Sequence, residues 1–140
     1  MKIRVFIANG NYNRDYYVEM ECDGQPHQGD FFSIPDHVLI QLTKLALQDK
    51  DSCNAFGQWI YRCPIDKDYY MGFDDAFIVY EVTWHYDEQT DSMKCYVSLD
   101  CDKKGDNCHS EDFRIDDFIF TEEFINELRT NTEKHLSIKL

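Results

Sequence analysis

The chain has 140 residues, 43% of them hydrophobic and 15% aromatic. It carries 27 Asp plus Glu against 14 Lys plus Arg, a formal net charge of −13. That length is enough to bury a core, and 10 Phe, 9 Tyr and 2 Trp exclude the aromatic-poor composition of a disordered acidic tail. The negative field disfavours nucleic acid and anionic membrane as direct partners and favours a basic protein surface.

Ile3 to Ala8 is predicted to be a strand, closed by the turn signal Asn9-Gly10-Asn11. Tyr16 to Cys22 is the returning strand, with Tyr16, Val18, Met20 and Cys22 on one face and Tyr17, Glu19 and Glu21 on the other. Phe31 to Ile34 is a short third strand. Ser33-Ile34-Pro35-Asp36 marks a helix start, with Ser33 as the cap, Pro35 in the first turn and Asp36 at the positive end of the dipole. Val38, Leu39, Leu42, Leu45 and Ala46 recur at helical spacing, and the helix is expected to end near Gln48 to Lys50. Ala55, Phe56, Trp59 and Ile60 suit a second, shorter helix that Cys63-Pro64 ends.

Residues 64–75 read as an irregular acidic-aromatic loop. Ala76 to Tyr86 is the clearest strand, with Ile78, Tyr80, Val82, Trp84 and Tyr86 alternating against Glu81, Thr83 and His85. Met93 to Leu99 returns as the second arm of a hairpin, and Trp84 is expected in the core. After a polar loop, Phe113 to Phe120 is a further strand candidate. Thr121 then caps a final helix, with Glu122 and Glu123 in its first turn and Phe124, Ile125 and Leu128 facing inward. The order implies one α+β domain over residues 1–140, an antiparallel sheet of five or six strands in hairpins packed with two or three helices.

No run approaches the ~20 apolar residues of a membrane span, and the N-terminal apolar stretch is too short for a secretory signal. A cytoplasmic location is expected, with Cys22, Cys53, Cys63, Cys95, Cys101 and Cys108 as reduced thiols. The charge is uneven. Residues 1–50 carry a net −2, residues 51–110 a net −7 and residues 111–140 a net −4.

The most motif-like stretch runs from Asp100 to Glu111. Numbered as an EF-hand loop, it puts Asp100 and Asp102 at positions 1 and 3, Gly105 at position 6 and Glu111 at position 12. The resemblance is partial: Lys104 replaces an oxygen ligand, and a strand precedes the loop where an EF-hand has a helix. Cys101, Cys108 and His109 offer a partial zinc set to which Cys53 and Cys63 could add a second pair, but neither spacing is a tight C-x₂₋₄-C. Neither reading earns a metal or cofactor assignment. The five histidines lack the spacing of a metalloprotease, and no nucleophile elbow, phosphate loop or dinucleotide motif is present.

The expected function is therefore binding without catalysis. Carboxylates on a β scaffold can occupy a basic groove shaped for phosphates, as phage-type anti-CRISPR inhibitors that mimic nucleic acid do, and as cytosolic immunity proteins do against basic nuclease toxins. A small metal-dependent enzyme or metal-binding protein using the 100–111 loop is the alternative from another class. The expected partner-binding residues are Asp66, Asp68, Tyr69, Tyr70, Asp74 and Asp75 of the acidic-aromatic loop, with Asp87, Glu88 and Asp91 of the hairpin turn.

Overall fold

The computed structural model describes residues 1–8, 14–73, 76–101 and 120–140, apart from the side chains of Gln58 and Cys101. The fold is α+β. Two compact units compose it: Met1–Val38 with Asp75–Asp102, and Leu39–Asp74 with Lys103–Leu140.

The first unit is built on a five-stranded sheet. Strands β1 (Lys2–Ile7), β2 (Val18–Glu21) and β3 (Phe31–Ser33) come from the N-terminal part. Two later strands, here named for their place in the chain, are β6 (Ala76–Asp87) and β7 (Ser92–Cys101). The order is β2-β1-β7-β6-β3. Both expected hairpins form, β1 with β2 and β6 with β7, each antiparallel. They join through β1 and β7, which run parallel, with Val5 opposite Val97 and Ile7 opposite Leu99. The sheet is therefore mixed where an antiparallel one was expected. Alternation within a hairpin fixes which residues share a face, but it does not say which arm meets the next hairpin or in which direction. The central strands do carry a trace of their position. Ile3, Val5, Phe6 and Ile7 on β1, and Cys95 to Leu99 on β7, Tyr96 and Ser98 included, are all buried, as strands covered on both faces require.

One irregularity changes the face assignment on β6. Val79 opposes Leu99, whereas Glu81 opposes Ser98. Tyr80 is the extra residue of a β-bulge and is 52% exposed. A bulge shifts the alternation by one. The core face of β6 is thus Phe77 and Val79 before the bulge and Val82, Trp84 and Tyr86 after it, while Ile78 falls on the face of Glu81, Thr83 and His85. Trp84 lies across from Cys95 beside Val97, as expected, yet it is 47% exposed. The reason is reach. Strand β3 pairs with β6 only at Ala76, Phe77 and Ile78, and β1 pairs with β7 only from Tyr96 to Leu99. The distal end of the hairpin extends past both neighbours, so among the described residues Trp84 has β7 on one side and no strand on the other.

Helix α1 (Asp36–Ala46) follows β3, and the division between the two units falls inside it. Ser33 is the last residue of β3, so the helix starts without it as cap. Val38, Leu42 and Ala46 are fully buried at four-residue spacing. The helix stops at Ala46. The side chain of Asp49 then accepts the Ser52 N–H at 2.8 Å and opens a separate helix, α2 (Lys50–Ala55). That hydrogen bond holds the Asp49 carboxyl below its ordinary range.

The second unit corrects two further expectations. Phe56 to Ile60 is not a helix. A single 3₁₀ turn at Gly57–Trp59 leads straight into β4 (Ile60–Arg62). The acidic-aromatic loop contains a strand, β5 (Tyr69–Met71), which pairs antiparallel with β4. Phe56, Trp59, Ile60 and Met71 are fully buried around this hairpin. Helix α3 (Glu122–Leu136) is capped as expected, the Thr121 hydroxyl accepting the Phe124 N–H at 3.1 Å. Ile125 and Leu128 are buried, and Phe124 is half-buried. Arg129 donates to the carbonyls of Leu47 (2.8 Å) and Gln48 (3.0 Å), groups that the end of α1 leaves free. The expected strand at 113–120 lies outside the described residues up to 119. No helix among the described residues is long and apolar enough to cross a membrane.

Candidate functional site

Two places gather the side chains that carry chemistry or recognition, one in each unit.

In the first unit the place is the free end of the β6–β7 hairpin. Trp84, Tyr86 and Met93 share one face there, Tyr86 directly opposite Met93. Their exposures are 47%, 57% and 54%. Large apolar side chains grouped in this way mark interaction surfaces more often than single exposed ones do. Acidic residues stand around them. Glu88 and Asp91 are exposed in the turn, and the Asp91 carboxylate accepts the Tyr86 hydroxyl. Asp91 takes a left-handed conformation at φ 49°, which a short polar side chain tolerates.

The opposite face of the same hairpin is occupied internally. The buried Arg4 guanidinium donates to Glu19 (3.1 Å), to the Tyr96 hydroxyl (2.8 Å) and to Asp87 (2.9 Å), and lies over the Tyr17 ring at 4.5 Å. Burial opposes the charge of Arg4, but its three hydrogen bonds outweigh that and raise its pKa further. The same guanidinium, helped by the Gln89 N–H, holds the Asp87 carboxyl below its ordinary range. Asp87 is thus a structural partner of Arg4, and the side chains that remain outward are Trp84, Tyr86, Glu88, Asp91 and Met93.

In the second unit the place is the loop joining β4 to β5. Cys63 N–H donates to Asp68 O at 2.8 Å, and Lys67 N–H donates to Cys63 O at 3.0 Å, with Lys67 at φ 64°. The loop is closed tightly, and Cys63 and Asp66 fall on one side of it. The last turn of α3 lies against that side. Asn131 donates to Tyr69 O at 3.0 Å, and the buried Thr132 hydroxyl accepts the Met71 N–H at 2.9 Å. These two bonds hold α3 along β5. One turn further on, His135 stacks on Tyr70 with ring centroids 4.7 Å apart, and Lys134 donates to Asp66 at 3.0 Å. Cationic residues are favoured at this end of a helix by the dipole.

The result is a Cys-Asp-His group. The ligand atoms of Cys63, Asp66 and His135 all lie within 4.8 Å of one another. The neighbouring Cys63 thiol and the Lys134 ammonium, which donates to Oδ2 at 3.0 Å, draw the Asp66 pKa well below the ordinary range, the thiol contributing more. Lys134 is raised in return.

The sequence-derived binding residues therefore have different local roles. Asp66 and Asp68 are ion-paired with Lys134. Tyr69 and Tyr70 form β5 and are half-buried. Asp87 is held by Arg4. Glu88 and Asp91 remain outward. Asp74 and Asp75, like residues 102–111 of the EF-hand-like loop, lie outside the described residues. Sequence reasoning overlooked the joining of Cys63 and Asp66 to His135. Its only local signal was a Cys-x₂-Asp spacing, too common to single out.

Comparison with protein-family models, characterised proteins and solved structures finds no match for this chain.

Proposed function

We propose that this is a non-enzymatic acidic binding protein that docks the end of its β6–β7 hairpin on a basic surface of a partner protein. The observation that carries this reading is the grouping of Trp84, Tyr86 and Met93, exposed side by side and rimmed by Glu88 and Asp91. Aromatic residues and Met are enriched at protein interfaces, and anchors of this kind supply most of the binding energy. The net charge of −13 supplies electrostatic steering toward a basic partner. The partner class it fits best is a nucleic-acid-processing enzyme, whose basic groove the acidic hairpin would block. A cytoplasmic location goes with this reading. Among the described residues Cys22, Cys53, Cys63 and Cys95 are free thiols, in keeping with a reducing compartment.

The test is affinity capture from the native host at low and high salt, followed by binding measurements on the captured protein. Trp84→Ala with Tyr86→Ala should weaken binding chiefly through faster dissociation. Glu88→Gln with Asp91→Asn should slow association and reduce its salt dependence. Ile65→Ala, at a side chain 92% exposed in the other unit, serves as control and should bind unchanged. Nucleic acid should compete for the same partner. Unchanged binding by both hairpin variants would refute the docking surface. Simultaneous, undiminished binding of nucleic acid would refute the blocked groove.

A further inference from the structure

We infer that Cys63, Asp66 and His135 form a binding site for a divalent transition-metal ion of the zinc type, which ties the last turn of α3 to the β4–β5 loop. The donor set is one thiolate sulfur, one carboxylate oxygen and one imidazole nitrogen. Zinc accepts all three, whereas calcium and magnesium select oxygen alone.

Geometry separates this reading from a plain ion pair. His135 Nε2 is 3.6 Å from Asp66 Oδ1. That is too long for a hydrogen bond. It is close to the ~3.3 Å that separates two ligands bound at ~2.0 Å to one tetrahedral ion. Nε2 is shielded from solvent and has no hydrogen-bond partner among the described residues, a costly arrangement for a buried ring nitrogen unless something coordinates it. The two oxygens of Asp66 are divided. Oδ2 receives Lys134 at 3.0 Å, while Oδ1 faces His135 and accepts only a long 3.5 Å bond from the Asp68 N–H, which leaves it a lone pair for an ion. Lys134 therefore orients the carboxylate without occupying the oxygen an ion would use, the part that outer hydrogen-bond partners play around metal ligands. The frame is already fixed. Thr132 and Asn131 hold the helix to β5, and the loop is closed by its own backbone bonds. Three protein ligands leave a fourth position for water or for a donor from a bound partner.

Binding exchanges the S–H bond of Cys63 for a sulfur–metal bond and releases the thiol proton to solvent, so affinity should fall as the pH is lowered. The site does not depend on the docking surface of the hairpin, and its test uses zinc alone.

The full chain, stripped with chelator, is titrated with Zn²⁺ by calorimetry, and its cysteines are alkylated with and without Zn²⁺ and mapped by mass spectrometry. One ion per chain should bind. Zinc should protect Cys63 from alkylation and leave the partly exposed Cys22 reactive. Cys63→Ser and His135→Gln should each weaken binding by more than the roughly 100-fold that loss of an outer hydrogen-bond partner can cost. Lys134→Gln, which breaks the ion pair but spares the ligands, should still bind. A double Cys108→Ser, His109→Ala variant should bind as the unaltered chain does. Failure of zinc to protect Cys63 in the unaltered protein would overturn the assignment, whatever the variants' stability. So would binding that survives Cys63→Ser but is lost in the Cys108, His109 variant.

Discussion

Arg4 Nη2 lies 2.9 Å from Asp87 Oδ2, so a residue of the first strand holds the end of β6, 83 residues away along the chain. The guanidinium is almost fully buried, and the carboxylate is partly so. With Glu19 and Tyr96 as its other partners, Arg4 draws β2, β7 and the tip of the β6–β7 hairpin onto one point.

Replacing Arg4 by Met should destabilise the first unit by about 2–3 kcal/mol, because it strands the partners of a buried charge. Asp87 adds a pH dependence. Its pKa is lowered in the folded state, so its stabilising contribution is complete above the unfolded value of about 3.9 and is lost as pH falls through the folded one. The stability gap between the unaltered protein and Asp87→Asn, measured by urea unfolding, should shrink below about pH 4. A gap that stays constant with pH would rule out the ion pair as its source.

Trp84→Ala should cost less than about 1.5 kcal/mol, since nearly half of the side chain already faces solvent. Trp59→Ala should cost about 3–5 kcal/mol, because Trp59 is fully buried. Denaturant unfolding of the two variants compares them directly. Equal costs would mean that Trp84 is covered after all.

Deleting Tyr80 should be tolerated far better than deleting Thr83. Removing the bulge residue leaves Val79 opposite Leu99 and Glu81 opposite Ser98 in regular succession. Removing Thr83 instead turns Val82 or Trp84 to the opposite face. Circular dichroism and cooperative thermal unfolding should survive the first deletion. If the first deletion abolishes folding and the second does not, the bulge is placed wrongly.

Thr132→Val should destabilise α3 against β5 by about 1–3 kcal/mol, because the isosteric side chain leaves the Met71 N–H buried without an acceptor. Thr132→Ser keeps the oxygen and should recover part of the loss. Hydrogen exchange at the Met71 amide reads the same bond: faster exchange is expected in the Val variant and near-normal exchange in the Ser variant. Unchanged exchange in both would show that the hydroxyl is not the acceptor.

The sequence by itself determined the elements whose signals are local. The 12-residue strand β6, its return through β7 and the Thr121 cap all follow from period, turn residues and capping chemistry within a few positions. Tertiary structure decided whatever needed a distant partner. The parallel joining of β1 to β7 depends on which hairpin arms meet. The bulge at Tyr80 adds a residue to one strand that its neighbour lacks, and a period of two read from β6 alone cannot register it. Strand β5 was hidden in an acidic loop because its backbone is satisfied in part by Asn131 and Thr132, some sixty residues later. For the same reason the Cys63, Asp66 and His135 group was illegible. Two of its members are three residues apart and the third arrives on a helix, so only the docking of α3 on β5 brings the sulfur, oxygen and nitrogen within reach of one another.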